Sequence, residues 1–218
     1  MTVERYRTVL GPGRAMLEIK HSVFECRVAR VEDEAAAREV IAAARREHHD
    51  AGHHCSAFVL GPGAELSRSS DDGEPSGTAG APILQVLLGA ELTEVVAVVT
   101  RWFGGTLLGA GGLVRAYSAA ARAGLADAGV LVREIGPLVE IAVPATQAGR
   151  LENAVRLAGA DVREVRWPES AGASGPVIIF AAVRDPDALA RTIAEHTAGA
   201  ATMITTGHTW TDTGSDAP

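Results

Sequence analysis

Apolar residues change their spacing several times along this 218-residue chain, and each change marks an element. Met16, Leu17, Ile19, Phe24 and Val28 alternate closely enough with polar neighbours to predict a strand pair, or one long bent strand, over residues 15–30. The acidic run Glu32-Asp33-Glu34 then opens a helix that reaches about His48. Its last turn carries Arg45 and Arg46, the charge order that complements a helix dipole. Residues 55–60 read as a strand stopped by Gly61-Pro62-Gly63. Pro82 cannot lie deep inside a helix, so the next helix should begin near residues 78–81. Residues 95–101 are almost continuously β-branched and predict a buried central strand. A glycine-rich loop over 104–112 leads into a helix over 113–126.

Beyond Gly129 the pattern becomes strand 138–143, helix 145–158, strands 161–167 and 177–183, helix 187–196 and strand 200–205. That β-α-β-β-α-β order is the split arrangement of ferredoxin-like domains. Residues 168–176 read as a Gly/Ser/Ala turn between the two middle strands. Gly136-Pro137 offers a break, so the expected organisation is an α+β chain with one domain over 1–135 and a second over 136–206. Residues 207–218 are polar and without period, and are expected to form a disordered tail.

Composition narrows the class. The hydrophobic fraction of 47% supports a real core, and aromatics are only 4%. No apolar run is long enough to predict a membrane span, and the first ten residues lack the pattern of a secretory signal. Cys26 and Cys55 are too few for a disulfide framework, which fits a cytoplasmic protein with reduced thiols. The formal net charge of −7 excludes non-specific tracking of a phosphate backbone unless basic groups cluster locally. A monomer with no membrane partner is expected.

Three clusters carry candidate chemistry. In the first, Asp71, Asp72 and Glu74 precede Ser76, Thr78 and a helix start. Phosphate or carboxylate on the amides of residues 76–80, with Mg²⁺ held by the three carboxylates, is one reading. The other is a capped turn in which the acids satisfy the helix's own N–H groups. The second cluster runs from the end of the central strand through Gly104, Gly105, Gly111 and Gly112 to a helix carrying Arg115 and Tyr117. Arg101 and Arg115 suit phosphate, and Trp102, Phe103 or Tyr117 suit stacking on a base. Packing of the aromatics in the core is the alternative. Ala110 and Gly111 occupy the places where a Walker loop needs Lys and Ser/Thr, which rejects that motif. The third cluster holds His48, His49, His53, His54 and Cys55. His49 and His53 have i, i+4 spacing suited to zinc, yet Gly52 should end a helix between them. A helix C-terminus followed by a strand is the preferred reading, with His53 facing the site as a hydrogen-bonding or acid–base group. No Gly-x-Ser-x-Gly elbow is present.

The stretch Asp71-Asp-Gly-Glu-Pro-Ser-Gly-Thr-Ala-Gly80 with Pro82, and Val99-Thr-Arg-Trp-Phe-Gly-Gly105 with the Leu108 to Ser118 segment, resemble the two signatures of the IMPACT/YigZ family. Lys20, Ser22, Phe24, His48, Asp50, His53 and Cys55 fit the same pattern. Val23, His21 and Trp102 depart from it, standing where arginine, lysine and tyrosine are usual. The resemblance implies a first domain like the second domain of small-subunit ribosomal protein five. It also implies a ferredoxin-like second domain similar to the last domain of elongation factor G. It further implies association with RNA, the ribosome or a translation factor. The expected function is therefore a translation-associated regulator or RNA-binding module without catalytic activity. The ligand-binding residues would be Lys20, His53, Asp71, Asp72, Glu74, Ser76, Thr78, Arg101, Gly104, Gly105, Gly111, Gly112 and Arg115. The alternative is an enzyme acting on a phosphorylated or carboxylated small molecule, with a divalent metal at Asp71, Asp72 and Glu74.

Overall fold

A computed structural model describes residues 3–168 and 175–215. The described residues form a mixed α/β chain with two sheets and five helices, divided into two compact units. Unit 1 takes residues up to Arg133 and again from Thr213, and unit 2 takes Glu134–Asp212. The turn expected over 168–176 lies mostly outside the described residues.

Unit 1 is built on β1 (Arg5–Val9), β2 (Gly13–Ile19), β3 (Ser22–Arg30), α1 (Glu34–Glu47), β4 (His53–Leu60), β5 (Leu66–Ser70), α2 (Gly80–Gly89), β6 (Val95–Trp102) and α3 (Ala110–Ala128). Its main sheet has the order β2-β3-β6-β4-β5, and every pairing is antiparallel. The β-branched run of β6 sits in the middle and is buried on both faces. Val95, Ala97 and Val99 join the core under α2 and α3, whereas Val96 and Val98 pack with Ala37 and Ala44 of α1. Two covered faces explain why the strand shows no alternation. Helix α1 starts where its acids suggested, with the Asp33 carboxylate accepting from Ala36 N at 2.7 Å.

The core beneath α3 is made of small groups in close approach. Gly124 packs on β3 so tightly that a Cβ there would lie 2.6 Å from Cys26 Sγ and 3.1 Å from Val28 Cγ2. Gly13 meets the same helix, where an added Cβ would lie 2.6 Å from Ala128 N. Few aromatics are needed when a helix can approach a sheet this closely.

Unit 2 comprises the later part of β7 (Val130–Val143), α4 (Ala145–Leu157), β8 (Asp161–Arg166), β9 (Val177–Ala182), α5 (Pro186–Thr197) and most of β10 (Thr202–Ser215). Its strand order, β10-β7-β9-β8, is that of a ferredoxin-like sheet. The core lies between this sheet and the inner faces of Leu151 and Val155 on α4 and Leu189 and Ile193 on α5.

Two expectations differ from the structure. Gly136-Pro137 does not break the chain but lies within the 14-residue β7, where Pro137 O accepts from Val183 N at 3.0 Å. A proline that keeps its acceptor costs a strand only its own missing donor. The tail, expected to lack order from residue 207, continues β10 to Ser215. Threonines supply what its apolar content lacks: Thr211 and Thr213, with Thr206 just before them, each donate a side-chain hydrogen bond to a β7 carbonyl.

Gly124→Ala should destabilise unit 1 by about 1–3 kcal/mol, the usual cost of overpacking a tight core. Adding Cys26→Ala, which removes the clashing sulfur, should recover part of that loss. Denaturant melts of both variants check the coupling.

Candidate functional site

The two glycine-rich signatures converge on one hollow of about 440 Å³, lined by Glu74 and Pro75 from the first and by Arg101, Phe103 and residues 107–110 from the second. His53, at the start of β4, closes it. Strand pairing brings this about, because His53 is in register with Arg101 and β3 lies on the other side with Phe24 opposite Arg101.

Asp71 settles the choice at the first signature. Its Oδ1 accepts from Ala79 N at 3.0 Å and Gly80 N at 2.8 Å, while Oδ2 accepts from Gly77 N at 2.8 Å. These are the amides at the entry to α2, so the anion at that helix start belongs to the chain itself. Burial pushes the Asp71 carboxyl up, but the three backbone donors outweigh it and hold the group below the usual carboxylate range. The phosphate expected on these amides would have to displace Asp71.

The other two acids point elsewhere. Asp72, at φ 44°, pairs with Arg45 and accepts from His54 N at 2.6 Å. Glu74 is buried, with Oε1 receiving Arg101 Nη1 at 2.6 Å and the Tyr117 hydroxyl at 2.7 Å. Each carboxylate is thus committed to a different cation or set of amides. Among the described residues no group of three metal-type ligands comes together, and Asp71, Asp72 and Glu74, where Mg²⁺ was expected, each face a different partner.

Arg101, only 6% exposed, is likewise not the open phosphate ligand that its position suggested. Its guanidinium lies between two rings, 5.5 Å from the Phe24 centroid and 5.6 Å from that of Phe103. Nη2 also reaches Ser22 Oγ at 3.4 Å. Tyr117 is fully buried and meets Phe24 edge-on at 5.3 Å, so it cannot stack on a base. Burial foremost raises its hydroxyl well above the ordinary tyrosine value. Trp102 is half-buried and donates its indole N–H to Asp50 at 3.0 Å. Phe103 is the aromatic that remains open, at 57% exposure.

His53 donates from Nδ1 to the Asp72 carbonyl at 2.9 Å, which leaves Nε2 facing Glu74 at 4.0 Å. Cys55 is buried behind it, its thiol bonded to the Asp71 carbonyl at 3.0 Å and pushed up to about 12, chiefly by burial. A thiol held so far from ionisation is a packing group rather than a nucleophile. The histidine cluster behaves as a helix end: α1 stops at Glu47 with His48 as its C-cap. Of the remaining residues, Thr78 is buried and donates to the Pro75 carbonyl at 2.6 Å, and Ser76 stays exposed in the turn.

A second hollow of about 340 Å³ adjoins the first through Leu108, which lines both. Lys20 and Arg115 meet there, together with Gly112 in the first turn of α3. Lys20 and His21 form the β2–β3 turn with φ of 49° and 66°, a left-handed pair built without glycine. Gly104 packs under this turn so closely that any Cβ would overlap the His21 carbonyl, and its N–H donates to Ser22 Oγ at 3.2 Å. Gly105 supplies the positive φ that carries the loop onward, and Gly111 passes beside the Arg115 guanidinium. Ser22 and Phe24 fitted the family pattern without being given a site role. Their signal was the strand pairing that lays β3 against β6.

Two outcomes follow. Asp71→Asn replaces Oδ2 by an amide donor facing Gly77 N and should cost about 1–2 kcal/mol at neutral pH. Because the folded carboxyl is depressed, its contribution is complete above the unfolded value near 4 and fades as pH falls through the folded one. The stability gap between wild type and Asp71→Asn should therefore narrow below about pH 4 in urea melts. Arg101→Met strands Glu74 in the core and should cost about 3–5 kcal/mol, with the double variant Glu74→Gln/Arg101→Met costing less than the sum of its parts.

A family model described as the Impact N-terminal domain matches residues 20–125. The IMPACT family member YvyE of Bacillus subtilis is 40% identical over 165 residues, 76% of this chain and 76% of its own. The IMPACT family member YigZ of Escherichia coli is 44% identical over 117 residues, 53% of this chain and 57% of its own. A solved structure described as that of a hypothetical protein is 28% identical, with a TM-score of 0.62 over 94% of this chain and 99% of that one. With a relative this similar along three quarters of both chains, the protein belongs to the IMPACT family.

Proposed function

We propose that this protein is a non-catalytic, translation-associated binding module that takes single-stranded RNA across Lys20, Phe103 and Arg115. The exposed Phe103 ring carries this reading. Arg101 supports it within 5.6 Å, while more than half of its surface remains open to solvent. A ring backed by a guanidinium and half-bare is suited to stacking on a base, and sequence-tolerant stacking needs little else. Lys20 and Arg115, around the neighbouring hollow, are placed to pair with the flanking phosphates. With a chain charge of −7, these local cations are the basic patch that such binding requires.

The same geometry gives less support to the enzyme reading. Asp71, Asp72 and Glu74 are spent on internal partners, and Cys55 and Tyr117 are held protonated.

Binding of a labelled oligouridylate at low salt should show a shallow salt dependence, near −1.4 in log K against log salt for two phosphate contacts. Lys20→Ala and Arg115→Ala should each flatten that slope by about 0.7. Phe103→Ala should weaken binding about tenfold and leave the slope alone. Absence of binding at low salt, or indifference to Phe103→Ala, rejects the proposal.

A further inference from the structure

A cavity of about 930 Å³ lies in unit 1, apart from the hollow around Glu74 and Arg101 and touching the signatures only at Pro82 and Ser118. Helix α2 supplies Pro82, Val86 and Gly89, spaced four and three residues apart, so they share one face. Helix α3 supplies Ser118, Arg122 and Leu125 at the same helical spacing. The two faces form the walls, and Leu92 is part of the floor. Such an arrangement exceeds what packing requires, since the facing side chains leave a ligand-sized volume between them.

Charge selects the occupant. The lining includes the guanidiniums of Arg7 and Arg122, and no aspartate or glutamate contributes to it. In a chain with 27 acidic residues, an apolar pocket whose charged lining residues are both arginines is complementary to an anion. The Arg7 group is tied to the Ala90 carbonyl at 3.4 Å and to Glu91 at 3.7 Å. Arg122 is exposed at the rim. We infer that this pocket binds a small amphipathic anion, an aliphatic chain lying between α2 and α3 with its carboxylate on Arg122. A volume of this size suits a small molecule, so an acidic peptide helix becomes an outcome of the test and not the proposal.

The pocket can be narrowed without damaging the fold. Gly89 lines it, has no positive φ, and a Cβ built there meets nothing within 4 Å. Gly89→Met should therefore push a side chain into the space at little cost to stability, which a thermal melt verifies. Decanoate, as the probe, should bind the full chain by titration calorimetry, with decanol at least fivefold weaker. Arg122→Ala should reduce decanoate affinity five- to tenfold and bring it level with decanol, and Gly89→Met should weaken binding of both severalfold. Phe103→Ala should change nothing, which separates this pocket from the proposed RNA face. The inference is overturned if decanoate does not bind, if it binds no better than decanol, if folded Gly89→Met binds as well as wild type, or if only an acidic helical peptide binds.

Discussion

Everything around the site depends on the buried ion pair between Glu74 and Arg101. The two residues come from signatures separated by a helix and a strand, and their contact fixes the distance between those segments. Burying both charges costs several kcal/mol that Coulomb attraction alone rarely returns. Here the cost is offset by neighbours: Tyr117 donates a second hydrogen bond to the carboxylate, and Phe24 and Phe103 flank the guanidinium. Such a pair contributes more to geometry than to stability. It holds Phe103 at the surface and holds Tyr117 below it.

A second constraint supports the first. The amides at the start of α2 are satisfied by Asp71, six to nine residues upstream of the groups it binds, rather than by the residue at the cap position, Ala79. A cap from so far away ties the turn containing Glu74 to the helix that follows. The acidic cluster is therefore best understood as three anchors, one on a helix start, one on Arg45 and β4, and one on Arg101.

Much of the architecture was legible in the pattern of apolar residues. The β-branched run of β6 announced a central strand, and the acid-to-base order of α1 announced its direction. The ferredoxin-like half could be read from element order alone. What escaped was information that exists only after pairing. Residues 5–9 and 66–70 are strands because neighbours complete them, and little in their own alternation says so. The tail after residue 207 is held by threonine hydroxyls, a polar device that reads as disorder when apolar content is the guide. At the site, the relevant residues were nearly all named, but their roles were not. Spacing cannot tell whether an arginine such as Arg101 faces a ligand or an internal carboxylate, because that depends on which strand lies opposite. The choice between a capped turn and a ligand cradle at Asp71 was open for the same reason.

The Lys20–His21 turn carries a cost with a use. Two side-chain-bearing residues in the left-handed region lose roughly 1–2 kcal/mol each relative to residues that tolerate it. Asn-Gly would relax the hairpin, and a search for stabilised variants would select it early. It would also delete the lysine of this turn and loosen the surface against which Gly104 is seated. Under the proposed function, thermostability and RNA capture by Lys20 pull this turn in opposite directions.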